Sequence, residues 1–408
     1  MQPEDFPSRN AGRCQKTLTG YWAFIPNPLP PRLEVDWRLA GLLSEADRAL
    51  AELSGAGRLI QNPHLLIRPY LRREAILSSR IENTFAEMEE LFLLEVEEEE
   101  KPRSPDIREV ANYVRALEHG LEAVKSSPIS KRLICDLHRI LLAEVRGGKT
   151  SKTPREFRRT QNWIGKPGST LTTATFVPPP PDEMLDALSD WEKYLHGESI
   201  APALVKCALL HYQFEAIHPF LDGNGRVGRL LITLFLCERK CLSQPLLYLS
   251  GFFDEYRDDY YRNFLAVSQN GKWRDWIEYF LTAVREQARS ALKDAETVID
   301  LYKKYLAKLK ESLRAPKTAA AILDALFENP IISISRFAKR SGHSFPTVVN
   351  GIEFWIEKGL LKEITGRQRN RLFLAQELLT VMAASESKRP AHSPDELRDQ
   401  RTQAESPQ

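Results

Sequence analysis

Between His218 and Arg229 the chain reads His-Pro-Phe-Leu-Asp-Gly-Asn-Gly-Arg-Val-Gly-Arg, which gathers an imidazole, a carboxylate, two guanidinium groups and three glycines into one short segment. The imidazole of His218 is the one side chain here suited to proton transfer near neutral pH. Arg226 and Arg229 are three apart and share a helix face, and their planar donor forks match phosphate oxygens. Asp222 beside such a positive site has a sensible role as a carboxylate holding Mg2+, which bridges nucleotide phosphates. Leu209, Leu210, Phe214 and Ile217 before the segment, and Val227, Leu230, Leu231 and Leu234 after it, follow helical spacing. Pro219 and Gly223-Asn224-Gly225 cannot continue a helix comfortably. The segment is therefore a loop feeding a helix N-terminus, where unpaired amides face an anion and glycines let it come close. Taken singly, each feature is ordinary. Two arginines and an aspartate brought together gain little stability unless something binds there.

These residues need a scaffold, and the rest of the chain supplies mostly helices. The 408 residues suggest two or three domains. Residues 1–40 are proline-rich, with Pro26, Pro28, Pro30 and Pro31 forcing an extended arm. Helical patterning is expected from about Asp36, over Arg72–Leu94, Ile107–Val124, Ser130–Glu144, Asp182–Tyr194, Ala203–Ala216, through Cys237, over Phe252–Gln269 and from Trp273 to about Lys310. The Thr-rich run Thr170–Val177, bounded by Gly168 and Pro178–Pro181, suits a short β-hairpin flap. Residues 315–375 read as a separate unit of three helices and a two-stranded wing, a winged helix. The expected division is an N-terminal arm and helical region over 1–105, a catalytic core over 106–290, a connecting helix over 291–314, the winged helix over 315–375 and a disordered tail over 376–408.

Composition narrows the class. Lys plus Arg number 57 and Asp plus Glu 55, so the net charge of +2 argues against a surface coated for non-specific nucleic-acid binding. Five cysteines at 14, 135, 207, 237 and 241 form no CxxC pair, so neither a disulfide framework nor a zinc site is indicated. No apolar run reaches the ~20 residues that span a bilayer, and the N-terminus lacks a signal-peptide pattern. The expectation is a soluble cytoplasmic protein with no membrane partner.

The 218–229 segment resembles the signature of the Fic family, H-x-F-x-D/E-G-N-G-R-x-x-R, at every fixed position. The resemblance implies a mainly α fold: a Fic helical core with a small β-hairpin flap, here followed by the C-terminal winged helix. It implies a protein adenylyltransferase, moving AMP from ATP to a Tyr, Thr or Ser hydroxyl of a target protein, or of the enzyme itself. His218 would take the hydroxyl proton and Phe220 would anchor the loop. Asp222 would hold Mg2+. Gly223, Asn224, Gly225, Arg226, Gly228 and Arg229 would hold the phosphates. Tyr260 and Tyr261 fall where the family contacts adenine. Residues 159–165 with Thr175, Phe176 and Val177 resemble the family's flap, which registers the target chain by strand addition.

Ser78-Ser-Arg-Ile-Glu-Asn83 fits a second family pattern, [S/T]-x-x-x-E-[G/N], that of an inhibitory helix, here about 72–94. The resemblance pairs Glu82 with Arg229, Ser78 fixes the helix by a nearby hydrogen bond, Asn83 completes the pattern, and the enzyme is autoinhibited. Two alternatives stand beside this reading. One is a DNA-binding regulator using Lys339, Arg340, Arg367, Arg369 and Arg371 of the winged helix. The other is a Fic enzyme that removes AMP or transfers a different phosphate-containing group. A homo-oligomer is compatible with either.

Overall fold

The computed structural model describes residues 1–59, 64–96, 104–145, 153–367 and 370–383. Among them are fifteen α-helices: α1 Trp37–Leu59, α2 His64–Ile81, α3 Met88–Val96, α4 Pro105–Ala123, α5 Lys131–Leu141, α6 Pro181–His196, α7 Ala203–Ile217, α8 Asn224–Glu238, α9 Ser250–Glu255, α10 Arg257–Asn270, α11 Trp273–Lys310, α12 Ala319–Glu328, α13 Ile334–Ser341, α14 Phe345–Glu357 and α15 Gln376–Ala383. Five strands accompany them: β1 Gly12–Lys16, β2 Trp22–Pro26, β3 Ile331–Ser333, β4 Lys362–Glu363 and β5 Leu372–Leu374.

Helix starts follow their capping residues. Ser104 and Ser130 accept from the amides of Ile107 and Leu133 at 3.2 and 3.3 Å, and Pro105 takes the first position of α4. The centre is the pair α7 and α8, whose residues are buried on nearly every side. Apolar residues recur on every side of α7, the mark of a helix with neighbours all round. Trp191 on α6 and Trp276 on α11 each donate an indole N–H to an α7 carbonyl, of Leu210 and Ala208, at 2.9 Å. These two anchors fix α7, and with it the start of the loop at His218. Helix α1 lies along α11, α4 packs on α5 and α2, and α2 also meets α9.

Several expectations are corrected. The hairpin lies in the N-terminal arm rather than the flap: β1 and β2 pair antiparallel from Gly12↔Pro26 to Lys16↔Trp22. In the flap the ladder shrinks to one bridge, Ile164↔Phe176. The threonines there satisfy one another and their own backbone instead, with the Thr170 amide donating to Thr173 Oγ1 at 2.8 Å and Thr170 Oγ1 bonding Thr172 Oγ1 at 2.9 Å. The expected helix over 72–94 is two helices, α2 and α3, separated by residues 82–87. Asn83 there turns left-handed at φ 60°, a conformation Asn tolerates better than most residues. Carboxylates of α4 then hold the connecting segment: Glu109 accepts from Thr84 Oγ1 at 3.1 Å and Asp106 from the Phe85 amide at 3.2 Å. The helix expected over 252–269 likewise breaks at Tyr256, between α9 and α10.

The C-terminal unit contains the three expected helices, but its sheet has three strands in the order β3-β5-β4. It is not set apart from the rest. Arg68 of α2 pairs with Glu328 of α12 at 2.9 Å, and Asn329 donates to the Phe92 carbonyl of α3 at 3.2 Å. The tail expected from residue 376 starts too early, since Gln376–Ala383 is helix α15 with Leu378, Leu379 and Met382 buried. Residues 384–408 lie outside the described residues. No helix among the described residues is long and apolar enough to cross a membrane.

Candidate active site

Helix α7 ends where His218 turns left-handed, at φ 49° and ψ 60°, with its amide still bonded to the Phe214 carbonyl at 3.0 Å. The loop closes on itself through Asn224: its Oδ1 accepts from the Phe220 amide and its Nδ2 donates to the Phe220 carbonyl, both at 2.8 Å. Gly223 then enters α8 at φ 81°, a region closed to most side chains. Val227 is the first paired amide of α8, bonded to the Gly223 carbonyl at 3.0 Å, so helix geometry leaves the amides before it open to an anion.

Phe220 is fully buried and stacks on His138, with ring centroids 3.8 Å apart. Phe220→Ala is expected to cost about 3–5 kcal/mol of stability, read as a lower urea midpoint. Unchanged stability would remove Phe220 as the loop's anchor.

Two positioning residues had no signal in the sequence. His138 accepts from the Arg155 amide at Nδ1 (3.2 Å), which leaves Nε2–H to donate to the Asp222 carbonyl (3.1 Å). Burial pushes its pKa down to about 4, so the ring holds the loop as a neutral group. Arg158 is buried and donates Nε to the His218 carbonyl at 2.9 Å, and further N–H groups to the carbonyls of Thr160, Pro179 and Ile217. A guanidinium spent wholly on carbonyls looks like any other arginine in a sequence, because its partners are backbone.

His218 itself is half-buried, and its Nδ1 lies 3.3 Å from the Glu215 carbonyl. A carbonyl only accepts, so Nδ1 carries the proton and Nε2 presents a lone pair. Burial and the nearby Arg158 push its pKa down to about 4, which keeps the ring neutral at pH 7. Asp222 is one-third exposed on its side chain; its Oδ1 accepts from the Gly223 amide at 2.6 Å and lies 3.7 Å from Arg226. No group of three or more His, Cys, Asp or Glu residues converges among the described residues. A lone carboxylate at the mouth of an anion site fits Mg2+ that arrives already bound to phosphates.

Both motif arginines hold carboxylates. Arg226 pairs with Glu109 at 3.0 Å. Arg229, almost fully buried, donates Nε to Ser78 Oγ at 2.8 Å, and Nη2 to the Ser78 carbonyl at 2.9 Å and to Glu82 Oε1 at 2.7 Å. Burial works against the charge of Glu82, but Arg229 outweighs it and holds the carboxyl below its ordinary pKa. A β-carbon placed on Gly225 would overlap Glu82 Oε1. The Glu82 carboxylate thus lies directly over the first turn of α8, where the open amides are. Asn83 stands outside this cluster; it ends α2 and accepts from Arg257 at 3.1 Å.

Four expected site residues, Tyr260, Gly228, Phe176 and Val177, are placed differently, while Tyr261 stays beside the site. Tyr260 is buried, and its hydroxyl bonds His211 Nε2 at 2.7 Å, so it packs the core rather than meeting adenine. Tyr261 is exposed, with the Arg257 guanidinium 5.8 Å from its ring centroid, and lies near enough to Glu82 and Arg229 for both charges to act on its hydroxyl. Gly228 faces α7, where a β-carbon would overlap Glu215 Oε1; it is a packing glycine, not a phosphate contact. In the flap, Phe176 and Val177 are buried, Phe176 against the rings of Phe6 and Phe24, and the Val177 carbonyl accepts from the Phe24 amide at 2.8 Å. Of the three flap residues only Thr175 is exposed.

The C-terminal basic set is partly spent within the chain. Arg340 lies 3.7 Å from Glu328 and Arg371 3.7 Å from Glu363, and Arg369 lies outside the described residues. The exposed residues of α14 are Phe345, Pro346, Asn350, Glu353, Ile356 and Glu357, which offer apolar and acidic groups rather than phosphate-binding ones.

Comparison with known proteins agrees with this geometry. Residues 40–122 match the Fic/DOC family N-terminal model, and residues 128–236 match the Fic/DOC family model. A probable protein adenylyltransferase of Aquifex aeolicus is 27% identical over 172 residues, covering 42% of this chain and 49% of that protein. Protein adenylyltransferase Fic of Drosophila grimshawi is 32% identical over 179 residues, covering 41% of this chain and 32% of that protein. The chain thus spans half or less of the length of these curated relatives. A Fic family protein from Desulfovibrio desulfuricans superposes with a TM-score of 0.55 at 20% identity, over 85% of this chain and 98% of that one. From residue 40 to residue 236, motif, family models and fold agree on a Fic/DOC family N-terminal region followed by a Fic/DOC family domain.

Proposed function

We propose that this protein transfers AMP from ATP to a hydroxyl side chain of a target protein, and that Glu82 holds the reaction in check. The observation that carries this reading is the joint placement of a neutral His218 with a free Nε2, the open N-terminus of α8, and the Glu82 carboxylate bonded to Arg229 over that same helix start. The names of the curated relatives support the same class of reaction.

In the proposed reaction, Nε2 of His218 takes the proton of the target hydroxyl as its oxygen attacks the α-phosphorus. The bond from that phosphorus to the bridging oxygen of the β-phosphate breaks, and pyrophosphate leaves. The α8 amides and the two arginines hold the phosphates in line, so the rate comes from positioning and charge neutralisation. Asp222 would hold Mg2+, which supplies further neutralisation of the triphosphate. With Arg229 committed to Glu82, the terminal phosphate lacks its partner and meets a carboxylate instead.

The test is labelling of a cell lysate with α-³²P-ATP and γ-³²P-ATP in parallel. Added Glu82→Gly enzyme is expected to raise label from the α position above a lysate without it, and to leave label from the γ position, which the lysate's own kinases supply, unchanged; enzyme-dependent label from the γ position alone would replace AMP transfer with phosphate transfer. The DNA-binding alternative draws no support from the acidic and apolar exposed face of α14. A salt-dependent gel shift by the full chain would restore it.

A further inference from the structure

Glu109 of α4 lies 117 residues before Arg226, yet the two side chains form a pair at 3.0 Å, exposed by only 12% and 4%. It differs in kind from the pair of Glu82 with Arg229. Glu82 is one-third exposed and stands on the segment between α2 and α3, free to swing away, whereas Glu109 stands on a helix packed against α2, α5 and α8. One oxygen of Glu109, Oε2, accepts twice, from Arg226 Nη1 at 3.0 Å and from Thr84 Oγ1 at 3.1 Å. The bond to Glu109 is the one hydrogen bond of the Arg226 guanidinium among the described residues, since the buried Nε makes none. A guanidinium is a flat fork, so fixing Nη1 fixes the direction of its other donors. Here it leaves Nη2 facing the loop, 3.7 Å from Asp222 Oδ1 and short of a hydrogen bond.

Two carboxylates therefore share Arg226 unequally. A buried cation that loses its carboxylate is costly and turns to the next charge in reach. Asp222 is the only other carboxylate within 4.0 Å of Arg226 among the described residues. We propose that Glu109 is a positioning residue of the phosphate site: with Thr84 fixing its carboxylate, it holds Arg226 off Asp222, so the arginine keeps a donor edge for nucleotide phosphate and the aspartate keeps its carboxylate for Mg2+. This rests on the phosphate role proposed for the 218–229 segment. Loss of the Glu109 charge would by itself favour an anion. The loss of position outweighs that gain, because Asp222 is already close and attraction grows as distance falls, so the nucleotide must first break the new pair.

The background is Glu82→Gly, in which Arg229 is open to phosphate. The probe is the ATP analogue with a methylene group between its α- and β-phosphorus atoms, which the proposed transfer cannot cleave, titrated calorimetrically with Mg2+ into the full-length chain. Glu109→Gln keeps the size of the side chain and an acceptor for Thr84. It should weaken the analogue by roughly tenfold or more, as expected when the partner that orients a binding group is removed. AMP lacks the phosphates that the arginines hold, and its affinity should stay within about twofold. Raising Mg2+ should recover part of the lost analogue affinity, because the cation competes with Arg226 for Asp222. Thr84→Val keeps its volume and removes one neutral donor, and it should weaken the analogue by about threefold. Analogue affinity unchanged or raised in these two variants would overturn the role of Glu109, as would an equal loss for AMP, the mark of a site distorted as a whole. A loss indifferent to Mg2+ would overturn the closing of Arg226 on Asp222. If the background variant binds no analogue, the phosphate site fails and the role of Glu109 with it. If it binds the analogue but transfers no AMP from ATP, the proposed reaction fails while the calorimetry still decides Glu109.

Discussion

Glu82→Gly is expected to raise AMP transfer by roughly tenfold to a hundredfold, read as label incorporated from α-³²P-ATP per unit time. A hydrogen bond to a charged partner contributes about 1.5–3 kcal/mol, and each 1.4 kcal/mol is a factor of ten. Glu82 is one-third exposed on its side chain, so water screens the pair and the lower half of that range is the better expectation. The substitution frees one N–H of Arg229 Nη2, the other staying on the Ser78 carbonyl, and clears the space above Gly225, both of which the terminal phosphates would need in the proposed reaction. Ser78 remains to hold the Arg229 Nε, so the guanidinium keeps its place. Equal rates for the variant and the wild type would mean that the pair is structural and not a brake.

His218→Ala in the Glu82→Gly background should lower transfer by a factor of about 10²–10⁴ while nucleotide affinity changes little. His218 reaches the reaction through Nε2 alone, since Nδ1 is committed to the Glu215 carbonyl. None of the phosphate-holding groups depends on its ring: Asn224 closes the loop, and Arg158 grips the His218 carbonyl, which alanine keeps. Undiminished transfer would take the base role from His218. The pH profile has a definite sign. A ring with a pKa of about 4 is unprotonated above that value and loses its lone pair only as the pH falls through it. Transfer by Glu82→Gly should therefore persist well below the ordinary titration range of histidine. A rate that halves near pH 6.5 would show that the ring titrates as a solvated imidazole.

The two roles proposed for Arg229 combine easily in this geometry. Its guanidinium has donors on several edges, and Ser78 satisfies one edge whether or not Glu82 is present. Glu109 stands in a similar relation to Arg226, and it also receives the Thr84 hydroxyl from the segment after Glu82. Helix α4 therefore touches both the phosphate side and the inhibitory side of the site.

The sequence by itself determined the motif and the helical frame. His218 through Arg229 could be read as a phosphate site because its chemistry is local: twelve consecutive residues define the loop, the helix start and the base. The helices α4, α5, α6 and α11 were legible because their periodic apolar faces are local as well, helped in the first three by serine or proline starts. The pairing of Glu82 with Arg229 was reached only through a family pattern, since the two are 147 residues apart. Tertiary structure alone decided the rest. Asn83 breaks the expected 72–94 helix, and Asp106 and Glu109 of a distant helix hold Thr84 and Phe85 beyond the break. Thr170–Thr173 bond one another, so the flap forms one bridge where the threonines suggested a ladder. Tyr260 and Tyr261 are adjacent in sequence, yet one lies in the core and the other on the surface, because neighbouring positions on a helix point about 100° apart. The partners of Arg158, His138 and Arg72 are backbone carbonyls or residues on other helices. A side chain's own identity carries no record of a partner that only the folded chain brings within reach.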